Sequence, residues 1–295
     1  MRVDPNYLTK LSSQLDQSTN VEAQLTAELS SGLRVTSLST DPVAVAQSTI
    51  LNSAISQQDT YVQVASGESS RLQATDSALG EVVTQLTSAV TLATAGANSI
   101  QNASGQTATL AQLTGIRDSI LSLANTSYSG TYLFAGSQGT TKPFSIDTST
   151  VPATTTYAGD AVAQSVVTPT GQSIQVNLPG SAVFTSVLNT LNQLIGDFSG
   201  SNVSTAVAAD SASVTAALGL VTDQRSVIDN SLSRLQATST YIQTQTATAT
   251  IAQSSLVSAN PADIATQLSA SETQNQALMS VISSLGKTDL FDYTH

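Results

Sequence analysis

The chain has 295 residues, room for one large domain or two to three small ones; 40% are hydrophobic, yet only 4% are aromatic and 10% charged. Ala, Ser and Thr carry much of the rest, a composition that propagates slim helices more readily than it fills a thick core. The net charge of −11 excludes nucleic-acid and anionic-membrane binding, which need Lys and Arg clusters, and the lack of Cys excludes disulfides and thiolate chemistry.

The first segment, Met1–Asn6, has no apolar core of a Sec-type leader, so none is expected. No window approaches 18 uninterrupted apolar residues, so no membrane span is expected either. From there Leu8, Leu11, Leu15, Ser18, Glu22, Leu25 and Leu29 step by three and four, an apolar stripe with a polar middle. Gly32 interrupts it. Asp41-Pro42 reads as an N-cap followed by Pro at the first helical position, restarting a helix through Ile50, Ile55 and Val62.

The stripe continues as Leu72, Asp76, Leu79, Val83, Leu86, Val90, Ala93, Ala97 and Ile100, spoiled only by Asp76. Asn102–Gln106 is predicted as a loop, and a further helix carries Leu110, Leu113, Ile116, Ile120 and Leu123. The period then falls towards two. Tyr132-Leu133-Phe134 is β-rich between Gly130 and Gly136, and Val162–Thr168 and Gln172–Leu178 flank Pro169-Thr170-Gly171 as a β-hairpin. Four of the seven prolines (Pro143, Pro152, Pro169 and Pro179) fall in this stretch.

Helix resumes through Val187, Leu191, Leu194 or Ile195, and Phe198, then breaks at Gly200. The longest stripe follows: Val214, Leu218, Val221, Arg225, Ile228, Leu232, Leu235, Ser239, Ile242, Thr246, Ala249, Gln253 and Leu256. Its strict alternation of four and three predicts a coiled-coil seam. Asn260-Pro261 is a second break with a new cap, and the last arm shows Ile264, Leu268, Ser271, Asn275, Leu278, Ile282 and Leu285.

The expected fold is mainly α: long antiparallel coiled-coil helices from the two ends of the sequence around a small β-rich insert. The expected segments are an assembly helix (1–44), the first half of a helical rod (45–130), the insert (131–184), the second half of the rod (185–258) and another assembly helix (259–295). If the end arms pack antiparallel, Ser18 and Glu22 come level with Ser271 and Asn275, polar positions that can fix register.

The stretches Leu29–Val35 and Thr40-Asp41-Pro42 resemble the N-terminal signature of the flagellin family. Asn125–Gly136, which contains Tyr132-Leu133-Phe134-Ala135-Gly136, then Pro143-Phe144, Tyr157–Asp160, Pro179–Phe184 and Leu290–Tyr293 are similar to the branch of that family that joins flagellar hook to filament. The resemblance implies export through the flagellar type III apparatus without a cleaved signal, aided by an export chaperone. It also implies ring assembly at the hook tip between another hook-associated protein and flagellin subunits, as an extracellular structural adaptor needed for swimming. Filament flagellin is the nearest alternative; a secreted coiled-coil effector or adhesin is the alternative of a different class.

No catalytic, cofactor or metal site is expected. The sole His is His295, no Ser-His-Asp or Cys-His set can be formed, and Asp and Glu are scattered singly along the chain. Assembly is the expected work. Its candidate residues are Leu8, Leu11, Leu15, Leu25, Leu29, Ile264, Leu268, Leu278, Ile282 and Leu285, an intersubunit surface or an ordinary two-helix pair. Tyr128, Tyr132, Leu133 and Phe134 form either a hinge to the insert or a small core beneath it. Arg225 and Arg234 are candidates for pairing across subunits or for solvated charges.

Overall fold

The computed structural model describes residues 5–35, 39, 41–98, 103–200 and 203–291. The chain order is α1 (Pro5–Ser31), α2 (Pro42–Asn98), α3 (Ala103–Ala124), β1 (Ser127–Tyr128), β2 (Thr131–Tyr132), β3 (Phe144–Asp147), β4 (Thr154–Tyr157), β5 (Ser165–Val167) and β6 (Ser173–Gln175). A single 3-10 turn at Gly180–Ala182 leads into α4 (Phe184–Phe198), α5 (Val203–Val257) and α6 (Pro261–Phe291). Two compact units result: residues 1–56 with 245–295, and residues 57–244. The division falls inside α2 and α5 rather than at the breaks near residues 44 and 258, because both helices run on through it.

The larger unit holds the continuous core. Along α5 every seventh residue is fully buried: Val214, Val221, Ile228, Leu235 and Ile242. On α2 the matching set is Leu72, Leu79, Leu86 and Ala93. A seven-residue burial period is the signature of a coiled-coil seam, and the predicted stripes supply it. The two polar residues that spoil those stripes answer each other. Arg225 grips Asp76 with two hydrogen bonds, one of them Nη2 to Oδ2 at 3.2 Å, and this pairing raises the guanidinium pKa. Arg225 is thus spent within its own chain, where pairing across subunits had been one expectation. Arg234 donates to the Ser173 carbonyl at 3.4 Å and has no carboxylate partner among the described residues.

Residues 103–106 are helical, where a loop is predicted. Gly105 misleads here; α3 packs on α4, and that tertiary burial outweighs the cost of about 1 kcal/mol for a helical glycine. Ile50 stands exposed although the stripe of α2 predicts it inward. The insert forms three two-stranded antiparallel sheets, β1–β2, β3–β4 and β5–β6. The β1–β2 turn places Ser129 at φ 49° and Gly130 at φ 80°, the left-handed pair that a two-residue hairpin requires. In the β5–β6 hairpin, Gly171 at φ 83° closes the Pro169-Thr170 turn, with its N–H on the Thr168 carbonyl at 2.8 Å.

Candidate assembly surfaces

In the smaller unit α1 and α6 pack together. Their antiparallel register is fixed by a Ser18–Ser271 hydroxyl pair at 3.3 Å, both residues buried. Leu11, Leu25 and Ile264 are buried on this seam; Leu15, Leu268, Leu278 and Ile282 are half-buried; Leu29 is exposed. The side chains of Leu8 and Leu285 lie outside the described residues, as do Thr40 and residues 292–295, including part of the Leu290–Tyr293 motif and His295. Glu22 Oε1 and Asn275 Oδ1 are buried without a hydrogen-bond partner, so the polar middle of the seam is incompletely satisfied within one chain.

The two helical breaks are tied to each other. Gly32 at φ 68° ends α1 in the left-handed cap conformation that suits glycine. The next residues run beside the end of α5: Arg34 N–H donates to the Val257 carbonyl at 2.8 Å, and Ala259 N–H to the Gly32 carbonyl at 2.9 Å. The Arg34 guanidinium donates to the Leu256 carbonyl at 2.9 Å and lies 3.4 Å from Asp41. Asp41 caps α2 by accepting the Ala44 N–H at 3.0 Å, and that bond, with Arg34 beside it, holds the carboxyl below its usual range. Asn260 caps α6 through the Ala262 N–H at 3.1 Å. The Ser30–Val35 and Asp41-Pro42 stretches are therefore the clip that joins the start of α2 to the end of α5.

Apolar side chains on α2, α5 and α6 of this unit lack cover. Val43 is 66% exposed, Ile50 69%, Ile251 71% and Met279 60%. Sequence reasoning missed this set because it sought stripes, and Val43, Ile251 and Met279 lie off them. Large apolar residues at off-stripe positions of paired helices were the available signal. Among the described residues of this unit, five buried apolar side chains (Leu11, Leu25, Val35, Ala44 and Ile264) make a thin core, so the exposed set is surface that further packing can cover.

In the larger unit, three family-like motifs interlock at one carbonyl. Phe134 O accepts the Gly180 N–H at 2.8 Å and the Tyr157 hydroxyl at 3.0 Å. Burial pushes the Tyr157 hydroxyl pKa upward. Asn125 acts as a side-chain strand partner to Phe144, donating to its carbonyl at 3.0 Å and accepting its N–H at 2.9 Å. Leu133 and Phe134 are fully buried and Phe134 meets Phe184 edge-on at 4.6 Å, so these two are core beneath the insert, not a free hinge. Tyr132 is half-buried and Tyr128 exposed.

Gly136 has φ 71°, and a Cβ there would overlap the Asp160 carboxylate and carbonyl. Asp160 is fixed by the Ser137 hydroxyl and N–H, which hold its pKa below the usual carboxylate range. Gly136→Ala is expected to destabilise the larger unit by roughly 2–4 kcal/mol, combining left-handed strain with overlap. Urea denaturation of the variant measures this, and a loss under about 1 kcal/mol would show that the loop simply relaxes.

Among the described residues no helix is long and apolar enough to cross a membrane, and no group of three or more His, Asp or Glu could hold a metal ion. Acidic residues are not all single, however. Asp197 and Asp210 come within hydrogen-bonding reach, a pairing that their spacing in sequence does not announce.

Comparison with known proteins bears on this architecture. Residues 6–139 match the bacterial flagellin N-terminal helical region. The chain is 27% identical over 161 residues to flagellar hook-associated protein 3 of Escherichia coli (strain K12), covering 54% of this chain and 49% of that one. It spans about half the length of the curated relatives it matches. A Vibrio parahaemolyticus structure described as a flagellar hook-associated protein superposes with a TM-score of 0.64 at 21% identity, over 74% of this chain and 100% of that one. Flagellar hook associated protein-3 from Legionella pneumophila gives 0.63 at 13% identity, over 70% and 98%. The chain has a flagellin-like fold, and it resembles the flagellin family and, within it, hook-associated protein 3.

Proposed function

We propose that this chain is a non-enzymatic structural adaptor of the bacterial flagellum that joins the hook to the flagellin filament and is needed for swimming. One observation carries the reading. The helices from the two ends of the sequence, α1 and α6, form a thin antiparallel pair clipped at the breaks to α2 and α5, and in the same unit Val43 and Ile50 of α2, Ile251 of α5 and Met279 of α6 lack cover. A neighbouring copy in a ring supplies that cover, with a second hook-associated protein on one side and flagellin on the other. The seam residues Leu11, Leu25 and Ile264 build the pair, and the exposed set meets the neighbours. Delivery to the hook tip, outside the cell, runs through the flagellar type III apparatus with a chaperone that shields the same helices beforehand.

Removing the gene tests this. A collar protein offers ring sites only, and a head-to-tail interface extends indefinitely unless its next layer is refused. The mutant is expected to keep complete hooks, lose swimming and release flagellin subunits into the medium. Filaments still standing on those hooks would refute the adaptor role. Pure protein that grew long filaments on its own would assign the chain to filament flagellin instead.

A further inference from the structure

The end of α4 and the beginning of α5 meet through two acids. Asp210 on α5 is only 7% exposed, and its Oδ2 is buried with no donor. Asp197, on the last turn of α4, lies within hydrogen-bonding reach of it. Gln193 donates its side-chain N–H to Asp197 Oδ2 at 3.0 Å.

Among the described residues no counter-ion comes from the elements packed around the pair: the turn between β3 and β4 reaches α4 through Pro152, against Gly196, and residues 143–160 carry Asp147, Tyr157 and Asp160 but no Lys, Arg or His. α2 reaches this region through Gly96, against the Phe198 ring, and through a Thr94–Ser211 hydroxyl pair at 3.3 Å. α3 reaches it through the Gln106 amide, which donates to the Phe198 carbonyl. Residues 82–116, spanning these parts of α2 and α3, contain no ionisable side chain. Residues 161–222, spanning α4 and the first part of α5, contain only Asp197 and Asp210. The next ionisable groups along the helices are Glu81 on α2, Arg117 on α3 and Asp223 on α5. A buried carboxylate beside a half-buried one, with no cation against them, is stabilised by a proton held between the two.

We propose that Asp197 and Asp210 form a proton-operated clasp, in which the Asp210 carboxylic acid donates to the Asp197 carboxylate and fastens the end of α4 to the start of α5. When the proton leaves, the buried Asp210 carboxylate faces a second like charge and the fastening slackens. Burial first, and the Asp197 carboxylate second, push the Asp210 pKa up to about 6. The folded chain therefore binds the proton more tightly than the unfolded chain, whose Asp titrates near 3.8. The clasp's contribution is fully present below that lower value and is lost as pH rises through about 6.

Carboxyl carbon NMR on the full-length chain reads the clasp directly. Asp210 is expected to titrate near pH 6, and Asp197→Asn is expected to lower that midpoint only part of the way towards the ordinary range, because burial of Asp210 remains. Amide exchange over residues 207–214, corrected for the intrinsic rate, is expected to speed up several-fold between pH 5 and 7.5. In Asp210→Asn, which keeps the shape and cannot titrate, that pH dependence should vanish. An Asp210 midpoint near 4 in the folded wild-type chain, or protection that ignores pH there, would overturn the proposal without either variant having to fold.

Discussion

Phe134→Ala is expected to cost the larger unit about 3–5 kcal/mol, the range for emptying a well-packed phenylalanine site. Phe134 is fully buried, its ring meets Phe184 at 4.6 Å, and its carbonyl anchors both Gly180 and Tyr157. Removing the ring leaves a cavity under three segments at once: the insert, the turn before α4, and α4 itself. Surrounding helices offer little relaxation, because Phe144 and Phe184 are themselves fully buried and lie 5.7 Å apart. For a unit of this size the loss lowers the thermal midpoint by roughly 10 °C. Circular dichroism at 222 nm follows the transition, since α4 and the seam of α2 and α5 melt with it. A shift of only 1–2 °C would mean that the motif around Phe134 does not hold the insert to the helices.

How far such a result is legible in the sequence depends on the kind of interaction. The stripes on α2 and α5 are visible because burial every seventh residue is written directly into residue type, and the structure buries Leu72, Leu79, Leu86, Val214, Val221 and Ile228 accordingly. Asp41-Pro42 and Asn260-Pro261 are visible because capping chemistry is local. The Ser18–Ser271 register follows from matching polar positions on two arms. What escapes the sequence is tertiary. Gly105 looks like a loop residue until α4 is known to cover α3. Arg225 and Asp76 look like separate flaws until the helices are aligned in space. The burial of Asp210 beside Asp197 depends on how α4 folds back, which periodicity does not encode.

Leu25→Asp is expected to abolish swimming while leaving the larger unit intact. Leu25 is 7% exposed on the α1–α6 seam, one of five buried apolar residues described in its unit. A carboxylate there faces Leu- and Ile-lined surface and no cation of α6 within the described seam. Burying it unpaired costs several kcal/mol, about as much as so thin a seam can supply. The α1–α6 pair therefore opens, and isolated helices of this length, with polar middles, are marginal in water. In the purified variant the helical signal should fall by the share of α1 and α6, 27 and 31 residues, while the main thermal transition stays within about 2 °C. The unchanged transition distinguishes this outcome from general misfolding, because the core of residues 57–244 contains neither helix. Opening of the pair also displaces Met279 of α6 from the exposed apolar set. Leu25→Met, which keeps volume and burial, should swim normally and serves as the matched control. If Leu25→Asp cells exported the protein and swam like wild type, the α1–α6 pair would not be the element on which assembly rests.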